Sequence, residues 1–183
     1  MAKPKVAIRI GHHGPGTGAA YNGRDEVRLA DTYGNAIRLA LISTGYPVLW
    51  LPSTSRSYNN DFRDTVNPDP AIGLYIQCHV NSAAGMTVSK DHGIVFHDYR
   101  SKRGPGLAQA MVTALSTGYS WRVESDNPTG PYPRVHPCIA GARPVALLLE
   151  PWFIQCDRDP VAIGAAIGAA LVTALDAGAL SGQ

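Results

Sequence analysis

Cysteine is scarce in this 183-residue sequence, which contains only Cys78, Cys138 and Cys156. The odd number and the absence of a Cys-x-x-Cys pair argue against a disulfide framework and against a structural zinc cluster. So few thiols, without a pairing pattern, are typical of a chain made in a reducing compartment.

Long hydrophobic runs and a strong net charge are also missing. No stretch approaches the ~20 apolar residues that cross a bilayer, which argues against membrane insertion. The net charge of +2 is too small to indicate a nucleic-acid-binding protein. Residues 1–10 have the basic flank of a signal peptide, but Arg9 and then Gly11-His12-His13 interrupt the apolar run. We therefore expect no export signal and synthesis in the cytoplasm.

The composition that remains is that of a globular protein, with 45% hydrophobic and 16% charged residues. The length predicts a single domain, residues 1–183, with a sizeable core. Strand-like and helix-like segments alternate, which predicts an α/β sandwich with a mainly parallel sheet. The predicted strands are residues 6–10, 47–51, 72–78, 93–97 and 146–150. The predicted helices are residues 26–44, 106–117 and 160–177, with a short one near 60–66, whereas residues 118–143 give no clear pattern.

Polar residues with metal-binding chemistry follow three of the predicted strands. His12 comes after the first strand, His79 directly follows residues 72–78, and Glu150 ends the last strand. Because ligands of parallel sheets bind beyond the carboxyl ends of the strands, these side chains are expected at one edge. Glu26 opens the first long helix and extends its apolar stripe toward the same edge.

Two imidazoles and one carboxylate are a common ligand set for a catalytic zinc, with one position left open for water. A further carboxylate nearby is what such a site needs to move protons. If His12, Glu26, His79 and Glu150 converge, the sequence predicts a zinc hydrolase.

Each of these residues also has a simpler explanation. His13 competes with His12 as the ligand. The simpler explanation for both histidines is that they are solvent-exposed residues of a loop. A simpler role for Glu26 is to interact with the positive end of its helix, with Asn22 as the cap. The Glu150 carboxylate would be satisfied by an ion pair with Arg143 or Arg158.

Other candidate residues are less clearly assigned. Asn81 can hold its loop or donate to a substrate, and His136 can contact a substrate. His92 and His97 are five positions apart, so in one strand they face opposite sides and cannot share a metal. We interpret both as structural, with His97 as a residue that can line the site. The glycines of residues 14–18 lack the Gly-Lys-Ser/Thr ending of a phosphate-binding loop, so that function is set aside.

Taken in order, these motifs resemble the zinc-dependent N-acetylmuramoyl-L-alanine amidases of the Amidase_3 type. The resemblance covers about residues 4–178. The matching segments are Ile8-Arg-Ile-Gly-His12-His-Gly-Pro-Gly-Thr-Gly-Ala19, the helix-start Glu26, Gly45-Tyr-Pro-Val48, Cys78-His-Val-Asn81 and Leu147-Leu-Leu-Glu150-Pro-Trp-Phe153.

The resemblance implies a six-stranded sheet, Zn²⁺ held by His12, Glu26 and His79, and Glu150 as catalytic acid/base. It selects His12 rather than His13. The implied substrate and partner is peptidoglycan, cleaved between N-acetylmuramic acid and L-alanine. We expect the protein to be a monomer. We list Asn81, His136 and Trp152 as expected substrate contacts.

The sequence departs from the family pattern in several places. Arg9 stands where the family usually has an acidic residue, Ile10 replaces a proline, His13 replaces a glycine, and Pro151 separates Glu150 from the aromatic residue. The expected lack of an export signal fits a phage endolysin that is released by a holin or by host lysis. Two rival functions remain: a zinc amidohydrolase or carboxypeptidase for a small acyl-amino acid, and a non-catalytic wall-binding module.

Overall fold

A central sheet of six strands organises the protein. The computed structural model describes residues 2–14, 16–53, 58–83, 88, 90–115, 118–127 and 137–180. The strands are β1 Lys5–Ile10, β2 Ala20–Tyr21, β3 Arg24–Asp25, β4 Val48–Leu51, β5 Ile72–Cys78, β6 His92–Asp98, β7 Ser120–Asp126 and β8 Val145–Glu150. The helices are α1 Glu26–Ser43, α2 Tyr58–Asp61, α3 Gly104–Ala114, α4 Pro137–Ala140 and α5 Pro160–Asp176, with a π-helical turn at Phe62–Val66 after α2.

The sheet has the strand order β4-β1-β5-β8-β6-β7. Strands β4, β1, β5 and β8 are parallel, whereas β6 pairs antiparallel with β8 and parallel with β7. The predicted α/β fold with a mainly parallel six-stranded sheet is therefore confirmed. The carboxyl ends of β4, β1, β5 and β8 therefore lie at one edge of the sheet. Strands β6 and β7 run in the opposite direction, so their carboxyl ends lie at the other edge.

Helices cover both faces of the sheet and bury two apolar clusters. On one face, Ile8 and Ile76 pack with Tyr33 and Ile37 of α1, and residues of α3 and α5 belong to the same cluster. On the other face, a smaller cluster is formed by residues Ala7, Phe62, Val66, Ile72, Tyr75, Ile94, Phe96, Ile139, Ala146 and Leu148. Successive side chains of each buried strand thus enter opposite clusters, and the sheet lies between two layers of helices, as expected for an α/β sandwich.

The start of α1 differs from the prediction in its capping residue. Asp25, not Asn22, is the N-cap, and its carboxylate accepts a hydrogen bond of 3.0 Å from the Arg28 N–H. Asn22 instead lies in the β2–β3 hairpin with a φ of 46°. Asp25 takes the cap because it directly precedes the first helical residue, which is where a side-chain oxygen reaches the free N–H groups.

Strand β7 was not predicted from the sequence. Its residues, Ser-Trp-Arg-Val-Glu-Ser-Asp, lie at the edge of the sheet, and most of them are at least partly exposed. An edge strand has no need for the continuous apolar run that marks the buried strands, so its sequence carries a weak signal. Helix α3 also begins and ends earlier than predicted, at Gly104 and Ala114. Among the described residues, no helix combines the length and the apolar character needed to cross a membrane.

Two glycines bring α5 close to α1. A Cβ placed on Gly164 would lie 2.3 Å from the backbone oxygen of Tyr33, and one placed on Gly168 would lie 2.5 Å from the Ala40 Cβ. The first of these contacts involves backbone, which cannot rotate away as a side chain can. The close approach of the two helices therefore depends on the missing side chains.

We expect Gly164→Ala to destabilise the protein, because the new methyl group forces α5 away from α1. Overpacking of this kind costs about 1–3 kcal/mol, against a gain of about 1 kcal/mol in helix propensity. Urea unfolding should show a net loss of free energy of unfolding. The matched control is Gly106→Ala in α3, where a Cβ meets nothing within 4 Å. Equal unfolding midpoints for the two variants would show that the helix contact is looser than described.

Candidate metal centre

The pairing of three strands sets the position of the site. The Gly11 N–H donates to the Cys78 carbonyl at 2.8 Å, and the His79 N–H donates to the Leu149 carbonyl at 2.9 Å. The ladders of β1, β5 and β8 thus continue one residue past the ends of β1 and β5. His79 follows the register that pairs Cys78 with Leu149, which places it beside Glu150. The sheet therefore brings the predicted strand-end residues to the same edge.

Three of the predicted residues form a compact triangle of possible ligand atoms. The His12 Nε2 lies 2.7 Å from the Glu26 Oε1, and the His79 Nδ1 lies 3.1 Å from the same oxygen. The two ring nitrogens are 3.2 Å apart. Ligand atoms this close can hold a metal ion.

The chemistry and spacing of the triangle fit zinc. At bond lengths of about 2.1 Å, two ligand atoms of a tetrahedral site lie roughly 3.4 Å apart. The separations of 2.7 to 3.2 Å are slightly shorter, so a small outward movement of the side chains would admit the ion. Two imidazole nitrogens and a carboxylate oxygen are also ligands that zinc accepts. The residues present therefore fit the metal.

The Glu26 carboxylate is buried, with 5% of the residue exposed, and is held from several directions. Its Oε2 accepts a 2.8 Å hydrogen bond from the Ala19 N–H, and its Oε1 accepts one of 3.2 Å from the Val80 N–H. Burial acts to raise the pKa of Glu26, but its hydrogen bonds with His12, His79 and the Ala19 N–H lower that pKa well below its usual range. Glu26 is therefore a carboxylate at neutral pH, as a metal ligand must be.

Two glycines leave room for the rings of the triangle. A Cβ on Gly11 would lie 2.5 Å from the His79 ring, and a Cβ on Gly18 would lie 2.9 Å from the His12 ring and 3.0 Å from Glu26. The glycine-rich loop after β1 therefore packs directly against the candidate ligands. Within residues 14–18 this holds for Gly18 alone, because a Cβ on Gly14 or Gly16 would meet nothing within 4 Å.

The structure distinguishes the two neighbouring histidines. His12 adopts a left-handed backbone conformation with a φ of 64°, and its ring belongs to the triangle. His13 lies outside the triangle and is exposed, with its N–H donating to the Thr17 hydroxyl at 3.1 Å. The change of backbone direction at His12 is what places one ring inside and the other in solvent.

Glu150 lies at the end of β8 and is partly buried. Neither arginine that offered it an ion pair is engaged with it. Arg143 donates to the backbone carbonyls of Asn67 and Asp69, and Arg158 pairs with Asp91 at 2.6 Å. The structural alternative for Glu150 is thus not the arrangement observed, and its role as acid/base stays a prediction.

The other predicted residues lie in different surroundings. The Asn81 Oδ1 accepts a hydrogen bond of 2.8 Å from the Ser82 N–H, which fits the loop-holding alternative. Trp152 is 1% exposed and packs edge-to-face on Tyr33, so its placement is that of a core residue and does not fit the expected substrate contact. His97 pairs with Leu147 in the middle of β8, away from the carboxyl end of that strand where Glu150 lies. His136 lies outside the described residues.

Tyr33 of α1 is not among the predicted site residues. Its hydroxyl lies 2.8 Å from the His79 carbonyl and 3.2 Å from the Leu149 carbonyl, next to both His79 and Glu150. Burial raises the pKa of Tyr33 well above its usual value, so the hydroxyl remains a donor. The only sequence signal for the contact of this hydroxyl with the two carbonyls is that a tyrosine lies about two turns after Glu26 in the same helix.

Solved structures share this fold at low sequence identity. The N-acetylmuramoyl-L-alanine amidase AmiC2 of Nostoc punctiforme has a TM-score of 0.74 at 13% identity, covering 94% of this chain and 97% of its own. The N-acetylmuramoyl-L-alanine amidase from Clostridium difficile 630 has a TM-score of 0.73 at 16% identity, covering 97% and 100%. A putative N-acetylmuramoyl-L-alanine amidase from Neisseria meningitidis has a TM-score of 0.67 at 21% identity, covering 94% and 96%. No protein-family model and no curated protein matches the chain.

The two neighbouring histidines allow a matched test of metal binding. We expect His12→Asn to weaken zinc binding by more than the ~10–100-fold that loss of an outer hydrogen bond typically costs. Asparagine tolerates the left-handed backbone at this position, so the change tests the ring rather than the fold. His13→Asn should bind zinc like the unaltered protein in a chelator-competition titration. The opposite ranking would assign the ligand role to His13.

Proposed function

We propose that this protein is a zinc-dependent hydrolase that cleaves the amide bond between N-acetylmuramic acid and L-alanine in peptidoglycan. The observation that carries the proposal is the triangle of His12, Glu26 and His79 at the carboxyl edge of the sheet. The shared fold supports the choice of reaction, since the similar structures are named N-acetylmuramoyl-L-alanine amidases. The triangle supports a metal-dependent hydrolase, and the shared fold supports the choice of the amide bond; both are needed for the proposal.

The three ligand residues would supply a binding site with one net negative charge, from Glu26. Zinc held there would polarise the scissile carbonyl and lower the pKa of a bound water. His12 and His79 contribute neutral nitrogens, which keeps the site electrophilic. The Ala19 and Val80 N–H groups fix both carboxylate oxygens of Glu26, so the ligand is already oriented before an ion arrives.

Glu150 would carry the protons of the reaction. Its carboxylate takes one proton from the attacking water, and the hydroxide forms the new bond to the amide carbon. Glu150 then returns that proton to the nitrogen of L-alanine as the carbon–nitrogen bond breaks. The products are a free lactyl carboxyl group on the sugar and a free amine on the stem peptide, so atoms and protons balance.

The exposure of the triangle supports a large substrate. The side chain of His12 is 25% exposed and that of His79 is 13% exposed, whereas Glu26 is 6% exposed. The imidazoles thus lie between the buried carboxylate and solvent. A polymer that cannot enter a closed cavity needs an edge site of this kind, and a small acyl-amino acid does not.

We expect Glu150→Gln to lose activity while it retains the metal. Removal of a general acid/base typically lowers turnover by about 10²–10⁴-fold. Glutamine keeps the shape of the side chain, and Glu150 is not one of the three proposed ligands, so zinc content should be unchanged. Turnover on purified peptidoglycan and zinc per protein chain are the two measurements.

The control for this variant is Glu124→Gln. Glu124 is a partly exposed carboxylate on β7 of the same sheet, where it lies 3.7 Å from Arg122. It should retain normal turnover. If Glu150→Gln turns over the substrate as fast as this control, Glu150 is not the proton carrier.

Digestion of peptidoglycan tests the reaction itself. Mass spectrometry should find intact stem peptides with a free L-alanine amine, and a chelator should abolish their release until zinc is restored. Products cut at another bond would keep the zinc hydrolase and change its substrate bond. A protein that binds zinc but releases nothing would favour the small acyl-amino acid, and one that binds no zinc would favour a wall-binding module.

A further inference from the structure

Arg9 is a fully buried arginine within strand β1, with 0% exposure. Its Nε donates to the Asp61 Oδ2 at 2.5 Å, and Asp61 itself is 5% exposed. Its Nη1 donates to the Ile10 carbonyl at 2.8 Å and to the His12 carbonyl at 3.3 Å. The guanidinium therefore connects helix α2 to the backbone of a candidate metal ligand.

Ser53 reaches the same carbonyl from the segment that follows β4. Its hydroxyl lies 3.2 Å from the His12 carbonyl and accepts a 2.8 Å hydrogen bond from the Gly14 N–H. One side chain thus bridges two residues of the turn that contains His12. Together with Arg9, it gives the His12 carbonyl two donors from different parts of the chain.

The conformation of His12 explains why such contacts are needed. A φ of 64° is uncommon for a residue with a side chain and costs free energy that other interactions must offset. If His12 relaxed to an ordinary φ, its peptide planes would rotate and its ring would leave Glu26 and His79. The orientation of the ring therefore depends on how firmly the carbonyl is held.

We propose that Arg9 and Ser53 are positioning residues that clamp the His12 carbonyl and thereby preset the His12 ring for the metal. Asp61 anchors the clamp by fixing the guanidinium. This inference deepens the proposed function and rests on it, since it assumes that His12 is a ligand. The planar fork of arginine suits the task because separate N–H groups reach Asp61 and the carbonyls together.

The test measures zinc affinity by chelator competition in variants whose folding is checked by circular dichroism. Ser53→Ala removes one donor without burying a charge, and Ser53→Thr keeps the hydroxyl. The double variant Arg9→Met with Asp61→Leu removes the second donor and leaves no unpaired buried charge. We expect about 10-fold weaker zinc binding for Ser53→Ala and for the double variant, and near-normal binding for Ser53→Thr.

The matched control is the double variant Lys5→Met with Asp69→Leu. Lys5 lies at the other end of β1 and pairs with Asp69 at 2.7 Å, away from the site. This control removes an ion pair from the same strand, so a general effect of strand stability would appear in both double variants. We expect its zinc affinity to equal that of the unaltered protein.

Unchanged zinc affinity in folded Ser53→Ala, or an equal loss in the Lys5 and Asp69 control, would overturn the clamp. If the Arg9 and Asp61 variant does not fold, the Ser53→Ala and Ser53→Thr pair still decides the question. Failure of the unaltered protein to bind zinc would overturn the clamp and the proposed function together. Tight zinc binding without peptidoglycan cleavage would overturn the proposed function alone, and the affinity comparison would stand.

Discussion

The burial of the Glu26 carboxylate is the constraint on which the site depends. A buried charge without partners is strongly unfavourable, so its oxygens must be satisfied wherever α1 begins. The partners come from the loop after β1, through His12 and Ala19, and from the end of β5, through His79 and Val80. The position of Glu26 in the first turn of α1 adds the positive end of the helix dipole. The carboxylate thereby fixes three chain segments relative to one another.

The sheet supplies the rigid frame for those segments. Parallel pairing of β1, β5 and β8 brings His12, His79 and Glu150 to one edge without any contact between their side chains being required. Tyr33 then connects α1 to the carbonyls of His79 and Leu149 at that edge. The candidate ligand His79 is therefore held through its backbone carbonyl as well as through its ring.

Much of this arrangement is predictable because the strands that build the site are buried. The apolar run of β5 has the same bounds, Ile72–Cys78, in sequence and structure, and the polar residue that follows it marks the sheet edge. The order of strands and helices restricts the topology enough to place His12 and His79 together. Glu26 is predictable because it continues the apolar stripe of its helix.

What the sequence does not predict depends on contacts between distant or weakly patterned segments. Arg9 reads as a departure from a family pattern, and its partner Asp61 lies 52 residues away in a short helix. The hydroxyl of Tyr33 donates to backbone carbonyls. Every residue has such a carbonyl, so the sequence does not indicate which ones the hydroxyl contacts. Strand β7 carries a weak signal because only Trp121 and Val123 of its seven residues are apolar, so its alternation is short.

The packing of α5 against α1 has a consequence for how the chain folds during synthesis. All four residues of the proposed site, from His12 to Glu150, precede α5 in chain order, yet the apolar face of α1 packs on α5. Until residues 160–176 leave the ribosome, the part of α1 that meets Gly164 and Gly168 has no cover, although the sheet already covers the rest of its apolar face. Contacts so distant in sequence form slowly. All four site residues are therefore synthesised before the contact between α1 and α5 can form. The packing of that helix pair is completed only after the last turns of α5 have been made.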